Sequence, residues 1–417
     1  MNLLHNPSLR LRPLLLLSVL VLALTPTLAW AGEPLPPDHP LLQEAVSQGT
    51  ATAAARITHR APPAETVQGG LGGAPETTPG PVEATVEGFT AYAIPELPLI
   101  VQIPEEWELN TDVEDGYFGF RIPGQFSYSF FDALGQDDFP GLLGLTIFNT
   151  RADLLVSQMD ESMRLEGVET FATAQGVPGV KIVFAGQISG IDMSGGFYLL
   201  ATARSVYGLV ILSSEAAWPD IEAQMDLVAQ NLIFTDEADT AIVQAGEEPL
   251  PYTSVDNGLA LTLPPGWLLQ ETTDERIPLS IADADFLITG VVASPSQAKV
   301  DPEALASLRD ALSAGSDLAS EDLLDALDAV FTNSGTGFRS SDFSLDPDLL
   351  TVHPGESPTV RFGGEGNFDS FTMPVLFYLD VRADTMVLGL FLGEGAALEA
   401  ADETLLAIVR SVRVVSE

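Results

Sequence analysis

Acidic side chains are the residues of this sequence whose types and spacing could do chemistry. Aspartate and glutamate number 59 against 17 lysines and arginines, and the formal net charge is −42. Calcium is bound by six to eight oxygens, and alternating loop carboxylates can supply part of that set. Two groups of aspartates have this spacing, the first in a glycine-bearing loop: Asp132, Asp137 and Asp138, and Asp342, Asp346 and Asp348. Because neither group matches the helix–loop–helix calcium pattern, calcium binding and a solvated acidic loop both stay open as interpretations.

Paired carboxylates could also hydrolyse glycosidic bonds. No spacing in this sequence selects such a pair, so a secreted carboxylate-based hydrolase is a further alternative without candidate residues. Other catalytic groups are scarce, since the chain has no cysteine and its four histidines are His5, His39, His59 and His353. Only His353 falls in a region expected to be globular, which leaves too few ligands for zinc and one histidine for a triad. The sequence therefore predicts a protein that is not an enzyme, with no catalytic residues and no cofactor.

Residues 1–31 have the pattern of a signal peptide. Two arginines precede an apolar run at 14–24, and the small residues Ala29 and Ala31 follow it. The run is too short to span a bilayer comfortably, and no later segment is long and apolar enough to do so. We therefore predict a secreted or periplasmic protein with no transmembrane segment after signal removal. Its acidity argues against nucleic acid as a partner, because nucleic acid binding needs a basic surface.

A pattern that occurs twice divides the rest of the chain. A tyrosine is followed fifteen positions later by a tryptophan, and a proline lies three residues before that tryptophan; the copies run from Tyr92 to Trp107 and from Tyr252 to Trp267. Apolar residues alternate before each proline, which is typical of a half-buried strand that ends at a residue with no N–H to donate. The repeated position predicts that both tryptophans are core or corner aromatics rather than sugar-stacking residues.

These features predict two globular domains, at residues 86–236 and 249–417. A disordered leader rich in proline, alanine, glycine and threonine at 32–85 precedes them, and an acidic linker at 237–248 joins them. In each copy we predict strands first, a central helical crossover, a run of antiparallel strands and a closing helix. In the first copy the apolar run 144–148 is interpreted as a strand, and the helix is placed after it. Helices packed against one antiparallel sheet form a layered α+β sandwich.

The two copies resemble the PsbP-like family, which is named after the extrinsic P protein of photosystem II. The motifs that carry the resemblance are Ile103-Pro-Glu-Glu-Trp107 with Tyr207-Gly-Leu-Val-Ile-Leu212, and Leu263-Pro-Pro-Gly-Trp267 with Val387-Leu-Gly-Leu-Phe-Leu392. The resemblance implies two tandem α/β/α-sandwich domains of the Mog/PsbP/DcrB type, each a mainly antiparallel sheet flanked by helices. It also implies an exported, non-enzymatic accessory or binding role.

The chain departs from the photosynthetic member of that family in its tandem arrangement, its long leader, its acidity and its two lysines. We therefore do not transfer the photosystem role. The function predicted from the sequence is an exported non-enzymatic accessory or binding protein whose partner is an unknown protein or polymer. A calcium-dependent binder of an extracellular polymer or partner protein is the first alternative, and the secreted hydrolase is the second.

Overall fold

The computed structural model describes the chain between residues 81 and 415, with gaps. The described residues are 81–82, 86–94, 99–110, 119–123, 127–134, 141–157, 159–188, 190–202, 206–235, 242–271, 279–293, 303, 306, 312, 343–353, 357–368, 371–382 and 386–415. The predicted signal peptide and nearly all of the predicted leader lie outside them. No helix among these residues is long and apolar enough to cross a membrane.

Strands predominate in the first half of the chain. They are β1 (Pro81–Val82), β2 (Phe89–Ile94), β3 (Leu99–Pro104), β4 (Glu108–Asn110), β5 (Gly119–Arg121), β6 (Ser127–Leu134), β7 (Arg164–Ala172), β8 (Pro178–Ile188), β9 (Ile191–Ala201), β10 (Val206–Ser214) and β11 (Ile233–Phe234). The helices described in this half are α1 (Gly141–Thr150), α2 (Ala152–Ser157) and α3 (Trp218–Gln230).

The first half is built on a five-stranded antiparallel sheet in the order β6-β10-β9-β8-β7. Strand β9 lies at its centre, and successive side chains there enter two different cores: Phe197 and Leu199 face one, and Tyr198 and Leu200 face the other. A strand that is buried on both faces has a continuous apolar sequence rather than an alternating one. A smaller sheet, β1-β2-β3-β11, and the hairpin β4-β5 complete this half.

The second half continues with the same predominance of strands. They are β12 (Ile242–Gln244), β13 (Leu250–Ser254), β14 (Leu259–Leu263), β15 (Leu268–Glu271), β16 (Leu279–Ala282), β17 (Ile288–Ala293), β18 (Phe343–His353), β19 (Thr359–Phe368), β20 (Phe371–Val381), β21 (Met386–Gly393) and β22 (Arg413–Val414). The helices named in this half are α4 (Gly395–Ala400) and α5 (Asp402–Ser411). Eight strands form one antiparallel sheet, in the order β12-β15-β16-β17-β21-β20-β19-β18, and β13-β14-β22 form another.

The strand order and register of the first half recur in the second. Tyr92 pairs with Val101 between β2 and β3, and Tyr252 pairs with Leu261 between β13 and β14, so both partners move by 160 positions. The order β10-β9-β8-β7 recurs as β21-β20-β19-β18, and β22 adds to β14 as β11 adds to β3. The repeated strand and proline pattern of the sequence therefore corresponds to equivalent positions in two similarly ordered halves.

In each half a closing helix and the small sheet together cover one face of the main sheet. Helix α3 has Pro219 in its first turn, where the missing N–H costs no hydrogen bond, and it buries Ile221, Met225 and Val228. Helix α5 buries Leu405 and Ile408 in the same way. The other face of each main sheet is turned toward α1, whose residues pack into the apolar clusters of both sheets.

The predicted class of helix-flanked α/β/α sandwiches is wrong. The described part of the chain is mostly antiparallel β-sheet, with 55% of its residues in strands against 22% in helices. There α3 and α5 each cover one face of a main sheet, while α1 is shared by the opposite faces of both sheets, which α2 and Leu312 also contact. The run 144–148, interpreted as a strand, is part of α1. Strand β12 lies inside the predicted linker 237–248 and pairs with β15, and β1 lies inside the predicted leader 32–85.

Candidate functional site

A lysine, a tyrosine and two carboxylates form a compact cluster in the first half. Lys181 on β8 and Tyr198 on β9 are direct cross-strand neighbours. Helix α3 places Glu222 and Asp226 above them, one turn apart. The Lys181 Nζ atom lies 2.7 Å from Glu222 Oε1 and 2.8 Å from Asp226 Oδ1, and the Tyr198 hydroxyl donates to Asp226 Oδ1 at 2.8 Å. The Lys181 side chain is only 8% exposed, so its charge is held in a largely dry environment.

The second half contains the same kind of cluster at equivalent positions. Arg361 on β19 and Tyr378 on β20 are again cross-strand neighbours, each 180 positions after its counterpart. Asp402, at the start of α5, accepts a hydrogen bond from the Tyr378 hydroxyl and one from Arg361 Nε at 2.5 Å. The position that corresponds to Asp226 holds Leu406. A cation, a tyrosine and a helix carboxylate therefore recur together, and we call these two groups the clamp clusters.

The two cations bond their partners differently. A lysine ammonium is a compact charge with three donors, whereas an arginine guanidinium presents a planar fork. Lys181 uses its donors on two carboxylates. Arg361 instead bonds the single carboxylate of Asp402 and donates from Nη1 to the backbone oxygen of Leu349 at 3.2 Å. Each cluster thus joins the main sheet to its closing helix through a charged hydrogen-bond network.

The lysine and the tyrosines of the clamp clusters have pKa values above their ordinary ones. Burial lowers the pKa of Lys181, but hydrogen bonds and the charges of Asp226 and Glu222 outweigh burial and raise it above its ordinary value. Burial, followed by the charge and hydrogen bond of Asp226, raises the pKa of Tyr198. Burial and Asp402 raise the pKa of Tyr378 in the same way. A lysine nucleophile or a tyrosine base needs a lowered pKa, so these clusters are arranged for attachment rather than for proton transfer.

Three of the six acidic residues that the sequence grouped as calcium candidates lie among the described residues. Asp132 lies in β6, opposite Gly208 of β10, and not in a loop. Asp346 and Asp348 lie in β18, where they are exposed and the Asp348 N–H donates to Asp346 Oδ1 at 2.9 Å. The remaining candidates, Asp137, Asp138 and Asp342, lie outside the described residues. Within the described ranges no three histidine, cysteine or acidic residues are grouped to hold a metal ion.

The two repeated tryptophans are core residues, as predicted. Trp107 is 3% exposed and Trp267 is 7% exposed. Trp107 stacks on Phe120 with ring centroids 5.1 Å apart, and its indole N–H donates to Gln224 Oε1 at 3.1 Å. The sole histidine of the globular region, His353, ends β18, and its backbone oxygen accepts a hydrogen bond from Arg410.

Sequence reasoning did not find the clamp clusters. Their members are far apart in the chain, and no local pattern distinguishes their acidic residues from the many others. One signal was available, because Lys181 is one of only two lysines and interrupts an apolar strand. Its counterpart Arg361 lies 180 positions further along the chain, and this offset is close to the offsets of the other repeated features.

Comparison with known proteins gives distant likenesses of fold only. No family model and no curated protein matches the chain. The solution structure of cyanobacterial PsbP (CyanoP) from Synechocystis sp. PCC 6803 is 10% identical, with a TM-score of 0.25, and the match covers 40% of this chain and 93% of that one. A Pseudomonas aeruginosa protein of unknown function, described as a putative regulator, is 18% identical over 35% of this chain and 96% of its own, with a TM-score of 0.23.

A third similar structure spans more of the chain. The apo immunity protein TplEi of the P. aeruginosa T6SS is 12% identical, and the match covers 79% of this chain and 98% of that one with a TM-score of 0.19. At these identities and TM-scores the likenesses carry no conclusion about function, substrate or partner.

Proposed function

We propose that this chain is an exported, non-enzymatic binding or accessory protein that consists of two PsbP-like copies and acts on a protein or polymer partner. The observation that carries the proposal is the pair of clamp clusters. Each cluster uses its charged groups to attach a helix to a sheet, and each stands at the same place in its half. Buried charges in a site built for catalysis are instead poised to change their protonation state.

The charge and the sheet edges of the protein protect it against aggregation. A strongly negative net charge keeps a protein soluble and monomeric. Sheet edges are common sites of unwanted pairing, and natural proteins protect them with bulges, charges and prolines. The edge strand β7 has a register shift between Leu165 and Gly167, and the edge strand β18 has one between Asp346 and Thr351. Both halves are therefore built to resist aggregation while their other surfaces remain available to a partner.

Export is tested with the full-length chain and a variant that lacks residues 1–31. Both are expressed in a bacterium with two membranes, and the cytoplasmic, periplasmic and culture fractions are probed separately. We expect the full-length chain in the periplasm or the medium, shortened by signal cleavage, and the variant in the cytoplasm. If the full-length chain stays in the cytoplasm at full mass, the export part of the proposal is wrong.

The binding role is tested by chemical cross-linking of the mature protein in the extracytoplasmic fraction of its own host. Because lysines are scarce, the cross-linker should target carboxylates, which are abundant on this surface. We expect a partner to be recovered with the native protein and lost when the protein is unfolded in urea before mixing. The non-enzymatic part is tested with ester, glycoside and peptide substrates; turnover that one carboxylate substitution abolishes would contradict it.

A further inference from the structure

Helix α1 is buried on opposite sides by the two halves of the chain. Leu142 and Leu145 lie in the apolar cluster of the first main sheet and are fully buried. Leu143 and Ile147, on the other side of the same helix, pack against the apolar cluster of the second main sheet. A helix that is apolar around its whole circumference is normally a core helix, and α1 therefore lies in a core to which both halves contribute.

Buried polar groups fix how the halves meet. Gln270 on β15 of the second half is fully buried. Its Oε1 accepts a hydrogen bond from the Leu142 N–H at 3.2 Å, and its Nε2 donates to the Thr202 backbone oxygen at 2.6 Å. Both partners belong to the first half. A buried glutamine without partners is costly, so its two bonds favour this one arrangement of the halves over others.

The other end of α1 holds a strained turn of the second half. Phe286, between β16 and β17, has a φ of 52° and is 2% exposed. A bulky residue in the left-handed region is uncommon and persists only where its surroundings fix it. Asn149 of α1 donates from Nδ2 to the backbone oxygens of Asp285 and Phe286, at 2.7 and 3.2 Å. The Phe286 ring itself lies in the apolar cluster of the first half.

We propose that α1, Gln270 and the Phe286 turn form a self-recognition interface that holds the two halves together without the covalent connection between them. A partner then meets one rigid body rather than two modules on a tether. The two copies consequently offer no gain in avidity from independent binding, since such a gain requires modules that can engage separately. The inner faces of both main sheets are used for this contact, so a partner binds elsewhere.

The test cuts the native protein between the halves. A recognition sequence for a specific protease is inserted between residues 238 and 239 of the intact mature chain, and the folded protein is cleaved and passed over a size-exclusion column. We expect both fragments to elute together at the volume of the uncut protein and to separate only in denaturant. Elution of two separate fragments from the native protein would overturn the proposal.

A second arm tests the residues that we assign to the interface. Gln270→Ala combined with Asn149→Ala, in the cleavable protein, should raise the dissociation constant of the fragments at least ~tenfold, because the buried backbone groups that Gln270 bonds lose their partners and Asn149 no longer bonds the Phe286 turn. The matched control is Gln187→Ala, which removes an exposed glutamine bond to Asp192 inside the first half and should leave association unchanged. Unaltered association in the double variant would overturn the assigned roles. If that variant does not fold, the cleaved native protein alone decides the proposal.

Discussion

The clamp clusters differ in one way that can be measured, because the first has two carboxylates and the second has one. Asp402→Asn keeps the shape of the side chain and removes the sole negative partner of Arg361 and Tyr378 in that cluster. Asp226→Asn removes a carboxylate from the first cluster, but Lys181 keeps its 2.7 Å contact with Glu222. We therefore expect the second half to be destabilised more than the first.

The magnitude follows from the hydrogen bonds that change. A hydrogen bond to a charged group contributes about 1.5–3 kcal/mol and a neutral one about 0.5–1.5, so converting the tyrosine bond from charged to neutral loses about 1 kcal/mol. Asp402→Asn also removes the ion pair with Arg361, worth up to about 1 kcal/mol for a partly exposed pair, and a favourable charge from the first turn of α5, worth about 0.3–1 kcal/mol. The expected loss is about 2–3 kcal/mol. Asp226→Asn likewise converts the Tyr198 bond, but Lys181 keeps its ion pair with Glu222 and Asp226 is 37% exposed, so the loss should be about 1 kcal/mol.

The assay is urea unfolding of the mature protein, monitored by tryptophan fluorescence. Unfolding free energies are compared between variants whose dependence of unfolding free energy on urea concentration is unchanged. Two further variants sharpen the result. Asp402→Glu installs the residue type found at the equivalent position Glu222, and it should recover part of the loss. Glu222→Gln added to Asp226→Asn should bring the first cluster to the cost of Asp402→Asn. If Asp226→Asn alone costs as much as Asp402→Asn, the reasoning about the second carboxylate is refuted.

Three other predictions concern single groups. Tyr198→Phe and Tyr378→Phe each remove one hydroxyl bond to a carboxylate, and each should lower the unfolding free energy by about 1–3 kcal/mol in the same urea assay; a loss in one half only would contradict the equivalence of the clusters. Burial, and then the charge of Asp285, raise the pKa of Asp283 above its ordinary 3.8 although backbone hydrogen bonds lower it. Between pH 3.8 and that raised pKa, Asp283 binds more protons in the folded state than in the unfolded chain. Its contribution to the unfolding free energy therefore falls as the pH rises. Asp283→Asn should remove it, and parallel stability–pH profiles of variant and native protein would contradict the assignment. Calcium at about a hundred times the dissociation constant of its site adds about 2.7 kcal/mol to the unfolding free energy. If the calcium alternative holds, calcium should therefore raise the melting temperature more than magnesium or sodium chloride of matched ionic strength does.

The placement of α1 shows why local sequence misled the interpretation. Residues 144–148 are a short apolar run, and periodicity alone does not distinguish a buried strand from a segment of a buried helix. The run is helical because it is enclosed on two sides by sheets that are distant in the chain. Acidic and small neighbouring residues predict a linker at 242–244, but this segment forms a ladder of hydrogen bonds with β15. In both places long-range packing outweighed local preference.

The sequence by itself determined the repeated strands, the buried tryptophans that follow them and the closing helices. These features follow from local period, from proline chemistry and from apolar spacing, all of which can be recognised over a few turns or strands. Only the tertiary structure decided how the sheets are covered and which charges meet. Lys181 and Asp226, or Arg361 and Asp402, lie on elements that come together only when a helix docks on its sheet. The physical reason is that contact between distant segments depends on the packing of the whole core, and no local pattern encodes it.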